Sequence, residues 1–173
     1  MTTYNETQAM QLPTLGAGQA PVPSFSRIIG IDPGLNGAIA VLSDDSLQIH
    51  DMPVMTVERN GKAKRQVSAN ELAEMLHLYS GKNYHVCVEK VSAMAGQGVT
   101  SVFSFGRSFG MIEGILAALK MPVTFVAPAT WVKGVGRGQG KDASRARAME
   151  LFPDYQDQFK RVKDDGRADA ALI

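Results

Sequence analysis

Four carboxylates carry the main chemical signal of this 173-residue chain. Asp32 stands where an apolar run gives way to a Pro-Gly turn, and Glu89 ends a later apolar run. Asp165 and Asp169 lie four residues apart, so on a helix they would face the same way. A carboxylate at the end of a buried strand is costly unless it is paired or binds a cation. Asp32 could also simply start the turn by bonding its own backbone, and the segment alone supports both interpretations equally.

Carboxylates that converge on one point repel each other unless cations lie between them. Oxygen ligands suit Mg²⁺ or Mn²⁺, whereas one cysteine and three histidines argue against zinc. Two such ions about 4 Å apart can activate water and stabilise the leaving oxygen in phosphodiester hydrolysis. Each acid also has a structural alternative: a surface ion pair for Glu89, and a helix N-terminus favoured by the dipole for Asp164 and Asp165. Together the acids form a stronger signal than any one of them.

Composition bounds the class of protein. Hydrophobic residues make up 45% and charged residues 20% of the chain, which is typical of one globular domain with a core. The apolar runs are too short to cross a membrane, and the first residues lack the pattern of a secretory signal. Cys87 alone cannot form an intramolecular disulfide. These features favour the cytoplasm and predict no membrane partner.

Basic residues cluster in two segments although the net charge is only +1. Two such segments suggest a polyanionic partner, while either one alone is better explained as ordinary solvated surface. The first cluster comprises Lys133, Arg137, Lys141, Arg145 and Arg147, and the second comprises Arg59, Lys62, Lys64 and Arg65. We expect the second cluster to lie in a loop around Gly61.

The pattern along the chain predicts a disordered arm over residues 1–25 and one domain over 26–173. Predicted strands cover 27–32, 37–43, 47–51, 84–89 and 122–126. Predicted helices cover 69–79, 100–119, 128–134 and 142–151, and a last helix begins near Asp164. Strand hairpins followed by alternating helices and strands indicate an α/β domain with a mixed sheet.

Three glycines recur every four residues in the long predicted helix, at Gly106, Gly110 and Gly114. Each destabilises a helix by roughly 1 kcal/mol relative to alanine, so we expect a neighbouring part of the protein or of a partner to approach that face closely. The neighbour could be the domain's own sheet, a neighbouring helix or a second subunit.

Three segments, in their order along the chain, resemble the signatures of RuvC-type Holliday junction resolvases, particularly a phage-associated branch. They are residues 29–34 (IGIDPG), 88–90 (VEK) and 166–170 (GRADA). The resemblance covers about 27–173 and implies an RNase H-like fold with a five-stranded mixed sheet flanked by helices. It also implies a homodimer that acts on four-way DNA junctions in recombination and repair. Cleavage would use two Mg²⁺ ions, which Mn²⁺ could replace, and leave 5'-phosphate and 3'-hydroxyl ends. The setting would be a bacterial or phage-infected cell.

The resemblance also assigns roles to the acids. It implies that Asp32 bridges both metal ions and that Glu89 and Asp169 are further ligands. The family usually has an acid or a histidine three residues before the last of these, where this chain has Gly166. We therefore favour Asp165 as the fourth catalytic ligand, with Asp164 as the alternative.

The basic segment after residue 131 gains a role from the same resemblance. Lys133 and Lys141 resemble two family lysines near the scissile phosphate or the DNA backbone, where lysine offers a point charge. Arg137 and Arg145 are expected to join them in binding DNA. A family aromatic that stacks on opened bases is replaced here by Ser92.

Without that aromatic, either Met94 or the loop 96–98 opens the junction, or the enzyme is less selective for four-way junctions. One alternative function is therefore an RNase H-like nuclease acting on other branched DNA or on RNA–DNA hybrids. Another is a catalytically inactive DNA-binding module, against which the intact set of acids argues. An actin-like nucleotide-binding fragment would need a second such domain, for which the chain is too short.

Overall fold

The computed structural model describes residues 27–44, 46–59, 61–90, 92 and 96–173. The predicted arm over 1–25 and Met94 lie outside these described residues. The strands are β1 (Ile28–Ile31), β2 (Ala38–Ser43), β3 (Ser46–Asp51), β4 (Val54–Arg59), β5 (Lys62–Val67), β6 (His85–Glu89) and β7 (Val123–Val126). The α-helices are α1 (Ala69–His77), α2 (Val99–Ala118), α3 (Pro128–Gly134), α4 (Ala143–Leu151) and α5 (Asp165–Leu172). Short 3-10 helices cover Pro153–Gln158 and Val162–Asp164.

Five strands form a mixed sheet in the order β3-β2-β1-β6-β7. β1 pairs antiparallel with β2 and parallel with β6, and β6 pairs parallel with β7. β1 is thus a central strand covered on both faces, which explains its continuous apolar run. Its register with β6 sets Ile31 opposite Val88, so the residues that follow each of them leave the sheet side by side. The predicted α/β class with a five-stranded mixed sheet is confirmed.

The two faces of the sheet carry two separate cores. On one face, Ile29 and Ile31 pack with apolar side chains of α1 and α2, including Leu72 and Ile112. On the other face, side chains of β2 pack with α4 and α5 and with the buried Trp131. Since alternate residues of a strand point to opposite faces, β1 presents Gly30 between its two isoleucines to the second core.

Gly30 lets α5 lie directly on β1. A Cβ built on this glycine would overlap the backbone carbonyl oxygen of Ala170. A clash with a helix backbone cannot be relieved by a side-chain rotation, so only glycine fits between β1 and α5. This close approach brings the acids of α5 to the end of the central strand.

The basic segment around Gly61 is a hairpin, and the prediction of a loop was wrong. β4 and β5 form a separate two-stranded antiparallel sheet, in which Arg59 and Lys62 are paired across the turn. Gly61 has φ of +68°, in the left-handed region that suits glycine. The Asn-Gly pair at 60–61 is the sequence signal typical of such a turn.

The glycine stripe of α2 faces away from the sheet. A Cβ at Gly106, Gly110 or Gly114 would meet nothing within 4 Å. Packing of these glycines on the domain's own sheet, or on another of the described helices, is therefore wrong, and contact with a second subunit stays a prediction. Among the described helices, none is both long enough and apolar enough to cross a membrane.

Replacing Gly30 with alanine should test the close contact between β1 and α5. We expect Gly30→Ala to lower the free energy of unfolding by at least about 2 kcal/mol, because the new methyl group would displace the α5 backbone. Chemical denaturation followed by circular dichroism measures this. The matched control is Gly138→Ala, where a Cβ meets nothing within 4 Å, and a change below about 0.5 kcal/mol is expected. Equal stability of both variants would show that α5 does not lie this close to β1.

Candidate active site

Asp32 follows β1 directly and begins a tight turn. Its backbone N–H donates to the carbonyl of Ala38 at 3.0 Å, and its Oδ1 accepts the backbone N–H of Gly34 at 3.2 Å. Desolvation by burial raises the pKa of Asp32 to about 7, although the Gly34 hydrogen bond lowers it. The negative charges of Glu89 and Asp169 raise it further. Asp32 therefore both caps the turn and takes part in a cluster of acids.

Glu89 ends β6 and is half-buried beside Asp32. Its Oε1 accepts a hydrogen bond of 3.0 Å from the indole Nε1 of Trp131. Burial raises the pKa of Glu89, the indole hydrogen bond lowers it, and the charge of Asp169 raises it again. The one tryptophan of the chain thus orients a candidate catalytic carboxylate without neutralising its charge.

Asp169 reaches the same place from α5. Burial raises its pKa, while a hydrogen bond from Ser144 and the charge of Arg137 lower it. Its Oδ1 is buried and has no hydrogen-bond partner among the described residues. A buried carboxylate oxygen without a donor is costly unless a cation binds it.

Of the two adjacent candidates for a fourth ligand, only one faces the other acids. Asp164 is 1% exposed, and both of its carboxylate oxygens accept hydrogen bonds from the Arg161 side chain at 2.9–3.1 Å. Burial raises the pKa of Asp164, but these hydrogen bonds outweigh it and hold the pKa below its usual range. Asp165 instead raises the pKa of Asp169 by its charge and is half-exposed. Its Oδ1 accepts a hydrogen bond of 2.8 Å from Nε of Arg145.

The departure from the family pattern at Gly166 has a steric cause. A Cβ at Gly166 would overlap the carbonyl oxygen of Asn36 and lie 2.8 Å from Cα of Gly37. The first turn of α5 is therefore packed against the turn that follows Asp32, and no side chain fits between them. The sequence alone could not show this, because the two segments are far apart along the chain.

Arg137 lies closer to the acids than its predicted role in DNA binding implied. Its Nη1 donates to Oγ of Ser144 at 2.8 Å, and its guanidinium lies 5.8 Å from the ring centre of Trp131. Its charge lowers the pKa of both Glu89 and Asp169. Ser144 and Trp131 were not singled out as site residues from the sequence, where neither belongs to a recognisable motif.

The other predicted DNA-binding residues divide into two kinds. Lys133 and Lys141 are exposed, on α3 and just before α4. Arg145 is only 7% exposed and is paired with Asp142 and Asp165, and it also donates to a backbone carbonyl. The prediction that Arg145 contacts DNA does not fit this position, because its donors already bind groups of the protein itself.

The acids lie near one another without forming a finished metal site. Among the described residues, no three acidic, histidine or cysteine side chains are grouped so that they could already hold an ion. What the structure does show is three partly buried carboxylates, one after β1, one at the end of β6 and one on α5, each with a pKa that burial raises. Asp32 and Glu89 come directly after the paired residues Ile31 and Val88 of the two central parallel strands, and the charge of Asp169 raises the pKa of both.

Comparison with known proteins relates this arrangement to one group. No protein-family model matches the chain. Over 88 residues the chain is 34% identical to a chloroplastic Holliday junction resolvase of Chlamydomonas reinhardtii. That match covers 50% of this chain but only 10% of the relative, so the chain corresponds to a small part of it.

Two solved structures share the fold along most of the chain. The first is RuvC of T. thermophilus in complex with a Holliday junction substrate, with a TM-score of 0.52 and 14% identity over 84% of this chain and 90% of that one. The second is the yeast mitochondrial Holliday junction resolvase, with a TM-score of 0.50 and 17% identity over 86% of this chain and 76% of that one. The chain thus has the RNase H-like fold of the RuvC-type Holliday junction resolvases, as its three motifs predicted.

Proposed function

We propose that this protein is a structure-selective endonuclease that resolves four-way DNA junctions, leaving 5'-phosphate and 3'-hydroxyl ends. The observation that supports the proposal is a fold shared with junction resolvases, in which Asp32 and Glu89 follow paired residues of adjacent strands and the charge of Asp169 raises the pKa of both. A scaffold that only bound DNA would gain nothing from burying three like charges, since each would weaken its attraction for phosphate.

The residues present fit a hard divalent cation. Their donors are all carboxylate oxygens, the buried Oδ1 of Asp169 lacks a partner among the described residues, and burial, with a smaller contribution from neighbouring negative charge, raises the pKa of Asp32 and of Asp169. Asp32, Glu89 and Asp169 would hold two Mg²⁺ or Mn²⁺ ions, with Asp165 as the fourth ligand. When bound, the ions supply charge neutralisation and activation of water for phosphodiester hydrolysis.

Hydrogen bonds within the protein orient these carboxylates. The Gly34 backbone N–H and the Trp131 indole fix the orientations of Asp32 and Glu89 through neutral donors. Arg137 holds the Ser144 hydroxyl that supports Asp169. Lys133 and Lys141 would bind the backbone phosphates and place the scissile bond against this cluster.

A homodimer would bring two such sites to one junction. The outer face of α2 offers Gly106, Gly110 and Gly114 with open space around each, beside Val99, which is 85% exposed. A second copy could bring its backbone close to this face, as the family resemblance implies. A two-fold dimer would then present two sites of opposite polarity, which suits paired cuts in two strands of a junction. Such a protein would work in the cytoplasm of a bacterial or phage-infected cell.

Cleavage of synthetic DNA should test the function directly. With Mg²⁺ we expect the protein to cut a four-way junction in two symmetric strands, and to cut a Y-shaped DNA and an RNA–DNA hybrid more slowly. Ca²⁺ should support binding without cleavage, because it orients ligands less strictly than Mg²⁺. Faster cleavage of the hybrid or the Y-shaped DNA would favour the alternative nucleases of this fold.

Removing one carboxylate at a time should abolish cleavage and leave binding. Asp32→Asn, Glu89→Gln and Asp169→Asn should each slow Mg²⁺-dependent cleavage by more than the roughly 10–100-fold that loss of a supporting hydrogen bond costs. Junction affinity, measured by fluorescence anisotropy in Ca²⁺, should stay within a few-fold. Asp154→Asn, which changes an exposed acid of a 3-10 helix, is the matched control. Wild-type cleavage by any of the three variants would refute the metal-site assignment.

Lys133→Ala and Lys141→Ala should weaken both cleavage and binding. Each lost phosphate contact should reduce the slope of log affinity against log salt concentration by about 0.9 for duplex arms. Lys120→Ala, an exposed lysine beyond α2, should leave the slope unchanged. In contrast, Arg145→Ala should lower thermal stability, since the buried guanidinium pairs with Asp142 and Asp165 and donates to the backbone carbonyl of Lys160.

Stability without metal should depend on pH through Asp32. Folding raises the pKa of Asp32 from 3.8 to about 7, so the protein takes up a proton when it folds at a pH between these two values. The free energy of unfolding in EDTA should therefore fall as the pH rises. Asp32→Asn should remove much of this decline and be the more stable protein above pH 7. Mg²⁺ should raise the melting temperature of the wild type more than that of the variant. A melting temperature in EDTA that does not change from pH 5 to pH 8 would contradict the burial of an ionisable Asp32.

A further inference from the structure

Arg137 has a fixed place in the segment between α3 and α4. The turn that ends α3 contains Gly136, whose φ of +65° lies in the left-handed region. The backbone N–H of Gly136 donates to the carbonyl of Lys133 at 3.2 Å, and that of Arg137 donates to the carbonyl of Val132 at 3.0 Å. This pair of hydrogen bonds forms a Schellman motif at the end of the helix. The motif fixes the backbone from which the Arg137 side chain extends.

The positive charge of Arg137 has no acid of its own. Arg145 and Arg147, in the same basic segment, each form ion pairs with carboxylates, whereas Arg137 forms none within the described part of the chain. Its Nε is also buried and without a hydrogen-bond partner among those residues. An unpaired buried donor destabilises a protein. Stabilisation of the fold is therefore a poor explanation for an arginine at this position.

Two neutral groups connect Arg137 to two of the acids. On one side its guanidinium lies 5.8 Å from the ring centre of Trp131, whose Nε1 donates to Oε1 of Glu89 at 3.0 Å. On the other side Nη1 of Arg137 donates to Oγ of Ser144 at 2.8 Å, and Ser144 forms a hydrogen bond with Asp169. One side chain thus contacts the supports of two carboxylates that come from β6 and α5.

The guanidinium determines how both supports are oriented. It has only donors, so the oxygen of the Ser144 hydroxyl must accept from Arg137 and keeps its own hydrogen for another group. The carboxylate of Asp169 is the acceptor that receives it. A cation over the indole face likewise fixes the plane of the ring, in which the Nε1–H of Trp131 lies. Without the guanidinium, both supports would be free to turn.

We propose that Arg137 is a positioning residue for the acid cluster. Through the indole and the hydroxyl it orients Glu89 and Asp169 together, so that both can hold a cation. Because it acts through neutral groups, it leaves the carboxylate oxygens to the ion, with which a direct arginine partner would compete. The proposal rests on the proposed function, and it replaces the predicted role of Arg137 in DNA binding.

Fluorescence of Trp131, the one tryptophan of the chain, tests this role without DNA and without cleavage. Bound Mn²⁺ should quench it, because Mn²⁺ is paramagnetic and Glu89 would hold the ion beside the indole. Arg137→Ala should raise the Mn²⁺ concentration at half-maximal quenching by about tenfold, as loss of a supporting contact at a metal site does. The matched control is Arg147→Ala, which removes the same charge but from a pair with Glu150, and it should change this concentration by less than about twofold.

Arg137→Lys separates positioning from charge. Lysine keeps the positive charge, which lowers the pKa of both Glu89 and Asp169, but it lacks the planar fork that reaches the ring and the hydroxyl together. Arg137→Lys should therefore bind Mn²⁺ nearly as weakly as Arg137→Ala. In a Ser144→Ala background, Arg137→Ala should lose roughly half of its effect on the logarithm of affinity, since one of its two routes is already broken.

Junction binding in Ca²⁺ separates positioning from DNA contact. Substitution of Arg137 should leave the slope of log affinity against log salt concentration unchanged, whereas Lys141→Ala should reduce it. A slope reduced by about 0.9 in Arg137→Ala would restore the role in DNA binding and overturn the proposal.

The remaining outcomes distinguish this proposal from the proposed function. Mn²⁺ binding by Arg137→Ala as tight as that of the wild type, or tighter, would overturn the positioning role, because loss of a charge alone removes a repulsion for the ion. Wild-type Mn²⁺ affinity of Arg137→Lys would also overturn it, and either result with intact junction cleavage would leave the function standing. Weakened Mn²⁺ binding by both variants without cleavage of any branched DNA by the wild type would support the proposal and refute the function. A wild type that Mn²⁺ does not quench would overturn the proposal together with the metal site.

Discussion

The repulsion among Asp32, Glu89 and Asp169 is the constraint on which the rest of this structure depends. Three carboxylates whose pKa values are raised by burial will not gather unless the backbone forces them together. Close backbone contacts hold them together. β1 and β6 run parallel and in register, which sets Asp32 and Glu89 side by side. Gly30 and Gly166 let the backbone of α5 lie directly against β1 and against the turn after Asp32. The free energy that holds the acids together is therefore that of the two apolar cores.

The partners of each carboxylate distinguish structural acids from candidate catalytic ones. Asp51 and Asp164 are paired with arginines, which hold the pKa of each below its usual range. Asp32 and Glu89 instead accept hydrogen bonds from a backbone N–H and an indole N–H, which orient them and leave their charge available. Neutral donors suit acids that hold cations, because an arginine competes with the ion, and an ion at the proposed fourth ligand Asp165 would therefore have to compete with Arg145.

Short-range patterns predicted most of the fold, and long-range contacts account for what they missed. Apolar β-branched runs gave the five strands of the main sheet, and the acids at strand ends followed from the same pattern. Arg145 is paired with Asp165, and the indole of Trp131 donates a hydrogen bond to Glu89. The two residues of each pair are far apart along the chain, so a short stretch of sequence does not predict either contact. The β4–β5 hairpin was missed because charge outweighed the turn signal. The arm at 1–25, the dimer and the fourth ligand stay predictions.

The position of Asp169 on α5 also orders events during synthesis. Every strand of the sheet precedes α5 along the chain, so a ribosome releases the whole sheet, with Asp32 and Glu89, before Asp169 emerges. The nascent chain at that stage would carry two of the three acids and the exposed lysines before α4. Such an intermediate would lack the third acid of the cluster. Docking of one short helix is thus the step that completes the cluster of acids.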